Sequence, residues 1–148
     1  MRPCMEYASH IWGSSTHTDL LDRVETRAFR LINSPALTRP LQSLSERRTV
    51  AALSLYYRYY NKHCSSELSD RLPPPLRRPR ATRLATQSHP FCVQLSYPRL
   101  GLYMNSFMYT MSEVWNRLPS SVFPTTFDLP TFKRRVSGSV GPQFRTRY

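Results

Sequence analysis

Lysine is nearly missing from this chain: of its 21 basic residues only Lys62 and Lys133 are lysine, and the rest are arginine. Arginine in that proportion favours bidentate contact with phosphate and stacking on planar rings over simple solubility. Acid is scarce too, nine side chains against 21, which leaves a formal net charge of +12. The scarcity is uneven. Residues 1–70 hold nine basic and seven acidic side chains, whereas residues 71–148 hold twelve and two. A basic half of this kind points to nucleic acid or an acidic surface as partner. The blander reading is a solvated or nuclear-import run.

Other absences narrow the chemistry. The three cysteines, Cys4, Cys64 and Cys92, are odd in number and widely spaced, so no disulfide framework is indicated. With His10, His17, His63 and His89 they are the candidate metal ligands, but no Cys-x-x-Cys occurs, and neither His63-Cys64 nor His89-Pro90-Phe91-Cys92 has paired-ligand spacing. No metal and no cofactor are expected. There is no nucleophile elbow and no Gly-rich phosphate loop. The acidic residues stand singly, so no carboxylate pair suits acid–base work. No catalytic residue is assigned and no small-molecule substrate is evident. No apolar run approaches the roughly 18 residues that span a bilayer. Met1-Arg2-Pro3 leads into no signal-peptide core. The expectation is an intracellular protein of the nucleus or cytoplasm, with no membrane partner.

What is present is helical periodicity. In Ser43 to Cys64, the residues Val50, Leu53, Tyr57, Tyr60 and Cys64 recur at steps of three and four, the apolar stripe of an amphipathic helix. Ser43 and Glu46 have capping-box spacing, and Arg47, Arg48, Arg58 and Lys62 fall off the stripe toward solvent. Thr18 to Ile32 predicts a second helix. Asp19 and Asp22 lie early and Arg27 and Arg30 late, as the helix dipole favours. Its predicted inward stripe is Leu21, Val24, Ala28 and Leu31, widened by Leu20 and Ile32, and Asn33-Ser34-Pro35 stops it. These two helices are expected to pack antiparallel. A short helix from Cys4 to Trp12 closes the third side with Tyr7, Ile11 and Trp12. Its abrupt start is what an internal methionine of a longer protein would give.

Ten of the thirteen prolines lie beyond residue 72. Leu72 to Arg80 has polyproline character, and Ser65 to His89 reads as an extended basic linker. Phe91, Val93, Leu95 and Tyr97 alternate with polar residues as in a half-buried strand, and Leu102 to Phe107 is expected to return as its hairpin partner. Met111 to Leu118 predicts a helix with Val114, Trp115 and Leu118 inward. A last helix carries Pro130 in its first turn and runs through Phe132 and Val136. The expected fold class is α+β, mainly helical. A helical subdomain spans 1–64, a basic Pro/Arg-rich linker 65–90, a hairpin-plus-helix subdomain 91–137 and a disordered tail 138–148.

Several blocks, in order, resemble one family: 2–13 (RPCMEYASHIWG), 20–32 (LLDRVETRAFRLI), 43–68, 78–83 (RPRATR), 106–123 (SFMYTMSEVWNRLPSSVF) and 127–136 (FDLPTFKRRV). Their sequence and spacing resemble the C-terminal region of the reverse-transcriptase polyprotein of non-LTR, LINE-like retrotransposons of the jockey type. The strongest signature is Ser106-Phe107, then Trp115-Asn116-Arg117-Leu118-Pro119, then Phe132-Lys133. In that family the region follows the polymerase, whose Tyr/Phe-Ala-Asp-Asp motif holds two metals. No two aspartates are adjacent here, and Tyr7-Ala8 is followed by Ser9-His10. The resemblance therefore implies a non-catalytic segment, with the upstream polymerase domain of the parent polyprotein as one partner and RNA or DNA backbone as another. The candidate nucleic-acid-binding residues are Arg77, Arg78, Arg80 and Arg83 in the arm, and Lys133, Arg134 and Arg135 in a compact patch. Phe91, Tyr97, Tyr103 and Phe107 offer stacking faces, although core packing is the stronger reading for Phe91, Phe107 and Trp115. The alternative function is a degenerate or co-opted module that docks another protein through the helical pair 18–64.

Overall fold

The computed structural model describes residues 2–13, 15, 17–76, 89–96 and 99–140. Among them the chain is mainly helical. After a 3-10 turn at Arg2–Met5 come α1 (Ser9–Trp12), α2 (Thr18–Ile32), α3 (Pro35–Thr38), α4 (Leu44–Tyr60) and α5 (Ser66–Ser69). Next are α6 (Gly101–Met104), α7 (Phe107–Arg117), a 3-10 turn at Ser120–Val122 and α8 (Leu129–Ser139).

The fold is assembled around α4. Its start is the predicted capping box: Glu46 N–H donates to Ser43 Oγ at 3.2 Å, and Ser43 N–H donates to Glu46 Oε2 at 3.3 Å. Leu53, Tyr56 and Tyr57 are buried along it, while Tyr60 is half-buried. The opposite wall comes from α7 and α8. Trp115 and Phe132 are fully buried, and Val114, Val136 and Val140 join them in one continuous core with α4. Two long-range polar links fix this packing. The Trp115 indole N–H donates to the Phe91 carbonyl at 2.8 Å. Tyr56 Oη lies 2.8 Å from Ser112 Oγ, both buried. Since the Ser112 hydroxyl already donates to the Met108 carbonyl at 2.6 Å, Tyr56 must be the donor of the pair. Burial pushes the Tyr56 phenol well above its ordinary range.

Helix α2 has the predicted length and stop, with Asn33 left-handed at φ 44° and its N–H on the Phe29 carbonyl. Its face is not the predicted one. Thr18 and Glu25 are buried and Leu21, Asp22 and Phe29 half-buried, while Leu20, Val24, Ala28, Leu31 and Ile32 are exposed, Leu31 at 80%. Polar anchors set the rotation. Glu25 Oε2 accepts the Leu44 N–H at 2.9 Å, capping α4 from outside, and Arg48 Nη2 reaches Asp22 Oδ1 at 2.6 Å. The later residue of α2 meets the earlier residue of α4, so the two run antiparallel as expected. Arg48, expected in solvent, is instead buried between Asp22 and the ring of Trp12, 5.8 Å from its centroid. Tyr7 and Ile11, expected inward, are exposed. A left-handed Ala8 at φ 51° interrupts the expected helix between them.

The hairpin expected over 91–107 does not form among the described residues. Residues 101–104 are helical, and strand pairing is limited to a bridge between Pro75 and Val93. Competing partners explain this. Leu76 N–H donates to the Cys92 carbonyl and Gln94 N–H to the Pro74 carbonyl, both at 2.8 Å. The Asn116 side chain serves both backbone groups of Val93: Oδ1 accepts its N–H at 2.9 Å and Nδ2 donates to its carbonyl at 2.8 Å. With these backbone groups of residues 92–94 already engaged, the centre of the expected strand is not available to Leu102 to Phe107. Within the expected linker, residues 66–69 form α5 and 74–76 make these bonds, while 77–88 lie outside the described residues. His89 is buried with its ring 4.4 Å from that of Phe123. Its Nε2 donates to the Trp115 carbonyl at 2.8 Å, and its buried Nδ1 has no hydrogen-bond partner among the described residues. Burial pushes its pKa down.

Candidate nucleic-acid interface

Helix α8 starts cleanly for reasons legible in its sequence. Asp128 Oδ1 accepts the Thr131 N–H at 3.2 Å, and Pro130 fits the first turn. The Thr131 hydroxyl and N–H hold the Asp128 carboxyl below the usual carboxylate range, and Arg134 and Arg135 add to the effect. Phe132, Val136 and Val140 form the inward stripe, so the three residues after Phe132 are carried around the outer side. Lys133, Arg134 and Arg135 are all exposed.

The three do not share one task. Arg135 Nη1 donates to the carbonyls of Ser121 at 3.2 Å and Phe123 at 3.4 Å, stapling the end of the 3-10 turn to α8. Lys133 and Arg134 instead line a cleft of about 570 Å³ between α8 and the first turns of α4. Arg47 joins them there, with Gln42, Val50, Ala51, Pro130 and Ser137, and with Glu6 as the lone carboxylate among the described lining residues. Gln42 Nε2 donates to Ser137 Oγ, tying the segment before α4 to α8. Arg47 Nη2 lies 2.7 Å from Glu6 Oε2, and the Arg47 side chain stays 40% exposed. The pair is part-buried, with the Glu6 side chain only 20% exposed, so Glu6 already offsets one of the three cations and the cleft keeps a surplus of positive charge. Three cations and one carboxylate lining an open cleft make it electropositive, an arrangement able to donate from guanidinium and ammonium to one anion.

The other expected site residues are placed as follows. Arg77, Arg78, Arg80 and Arg83 lie outside the described residues, as does Tyr97. Phe91 and Phe107 are half-buried against the core; Phe91 meets Tyr60 edge-on and Phe107 meets Tyr59 edge-on. Tyr103 is exposed, 6.0 Å from the ring of Tyr109. Arg47 is the functional candidate that sequence reasoning missed, because only the packing of α4 on α8 brings it to Lys133. Among the described residues no three His, Cys, Asp or Glu side chains come together to hold a metal, and no helix is long and apolar enough to cross a membrane. No protein-family model, no curated protein and no solved structure matches this chain.

Proposed function

We propose that the chain is a non-catalytic C-terminal segment of a non-LTR retrotransposon RNA-directed DNA polymerase that grips RNA or DNA through its phosphate backbone. The observation that carries this reading is the cleft where Lys133, Arg134 and Arg47 converge. The arginine-rich second half of the sequence, including Arg77, Arg78, Arg80 and Arg83, supports it. Contacts of this kind hold the strand and carry no base information, so the reading expects weak sequence preference and strong salt dependence. Its partners are RNA or DNA and the polymerase domain that precedes this region in the family it resembles.

The near-absence of lysine makes the test simple. Lys62 and Lys133 are the only side-chain amines, and both are exposed. Amine acetylation followed by mass spectrometry, with and without single-stranded RNA, reports on each. Protection of Lys133 by RNA or DNA is expected; equal modification of Lys133 under saturating nucleic acid contradicts the reading.

One observation favours a second reading, a degenerate or co-opted module that docks another protein. Leu20, Val24, Leu31 and Ile32 on α2, with Leu37 and Leu41 after it, are all exposed. Apolar side chains in such number along one element mark an interaction surface. On this reading, Leu31→Glu abolishes co-elution with a polymerase domain supplied in trans and leaves nucleic-acid affinity unchanged.

A further inference from the structure

The end of α4 builds a second feature, remote in sequence from the patch on α8. Arg58 occupies the third-last helical position, Asn61 the cap, and Lys62 adopts φ 57°, the left-handed region. Lys62 N–H donates to the Tyr59 carbonyl at 3.1 Å, and His63 N–H donates to the Arg58 carbonyl at 2.9 Å. This pair of bonds is a Schellman motif, which satisfies the last carbonyls and folds the chain back on itself. It brings His63 beside Arg58 and delivers the imidazole onto Phe127, with ring centroids 3.7 Å apart and planes 18° apart.

Phe127 is itself the third ring of a stack. It lies 5.2 Å from Tyr57 at 8°, and Tyr57 lies 4.1 Å from Phe132 at 7°. The Asp128 N–H donates to Tyr57 Oη at 3.3 Å, pinning the backbone next to Phe127. Exposure rises along the series: Phe132 is 0% exposed, Tyr57 4% and Phe127 39%, and His63 is exposed. His63 makes no other ring contact among the described residues. The array is thus rooted in the core and ends in His63, an exposed ring with no second ring partner among the described residues, with the exposed cations Arg58 and Lys62 on the same turn.

We propose that His63, held by Phe127, is a stacking platform for one unpaired nucleobase, with Arg58 and Lys62 placed for the adjoining phosphates. The proposal rests on the nucleic-acid reading above and adds to it that the strand is single where it passes the end of α4. A fixed planar ring beside cations accepts any base, because every base has a π-face. A rooted stack also loses little freedom when the next ring is added, which preorganises the site.

The experiment uses the whole chain and a short single-stranded RNA carrying one 2-aminopurine, with the same sequence as DNA. Fluorescence quenching of 2-aminopurine reports stacking, and anisotropy reports affinity. His63→Ala is expected to remove the quenching and weaken binding roughly 5- to 150-fold, and His63→Tyr to keep both. Since His63 is exposed, the alanine variant retains the fold, checked by its unfolding midpoint. Affinity and quenching unchanged in His63→Ala, with affinity still lowered by Lys133→Gln/Arg134→Gln, overturn the platform and leave the cleft reading standing. No binding of either strand at low salt overturns both.

Discussion

The bond between Tyr56 and Ser112 joins residues 56 positions apart and lies where α4 meets α7, so it tests whether the two halves of the chain share one core. Replacing Tyr56 by Phe removes the donor, while the Ser112 hydroxyl keeps its bond to the Met108 carbonyl. The cost is that of one net hydrogen bond, about 1 kcal/mol. Replacing Ser112 by Ala is worse. It leaves the buried Tyr56 hydroxyl with no acceptor, at a cost of about 1–3 kcal/mol. The double variant has no orphan, so it should be more stable than the sum of the single changes implies by about 1 kcal/mol. For a chain of this length each kcal/mol moves the midpoint by roughly 2–4 °C. Thermal unfolding followed by tryptophan fluorescence reads this contact, because the Tyr56 and Trp115 rings are 5.0 Å apart. Strictly additive costs, or a Ser112→Ala cost below about 0.5 kcal/mol, would refute a shared buried bond.

Three further outcomes are expected. Lys62→Gly should stabilise the chain by about 1 kcal/mol in thermal unfolding, since the left-handed backbone at φ 57° penalises a side chain; a lowered midpoint would contradict the Schellman geometry. Glu25→Ala should cost about 1–3 kcal/mol by orphaning the buried Leu44 N–H, and Glu25→Gln, which keeps an acceptor oxygen, should cost less. His89 gives a pH signature. Burial lowers its pKa in the folded chain, so below its ordinary value of 6.5 the unfolded chain takes up the proton first, and stability falls as pH drops from there through the lowered folded value. Above 6.5 it contributes no slope, and a His89→Gln variant should lose the dependence in that acidic window.

Legibility followed the range of the forces involved. Helix α4 and its capping box were readable because a three-four stripe and a Ser–Glu pair are local signals. The length of α2 was readable for the same reason. Its rotation was not, since the buried side is chosen by Asp22 with Arg48 and by Glu25 with Leu44, and those partners lie 26 and 19 residues away. The hairpin expectation failed on competition. Val93 has the alternating pattern of a strand, but the Asn116 amide and residues 74–76 take its neighbourhood's backbone groups first. At the site, the charge run Lys133-Arg134-Arg135 was visible, whereas the diversion of Arg135 to the Ser121 and Phe123 carbonyls was not. In the sequence His63 reads only as a metal-ligand candidate. The one available cue was its place just past the end of a confident helix, and a cue of position does not name Phe127.

The most direct test of phosphate gripping in the cleft is the slope of log affinity against log salt for a single strand, compared between the unmodified chain and Lys133→Gln/Arg134→Gln. Each phosphate contact contributes about 0.7 to the slope on single strands. Losing two should flatten it by about 1.4, with little change in sequence preference. Parallel lines, with binding intact, would mean that the cleft holds no phosphate.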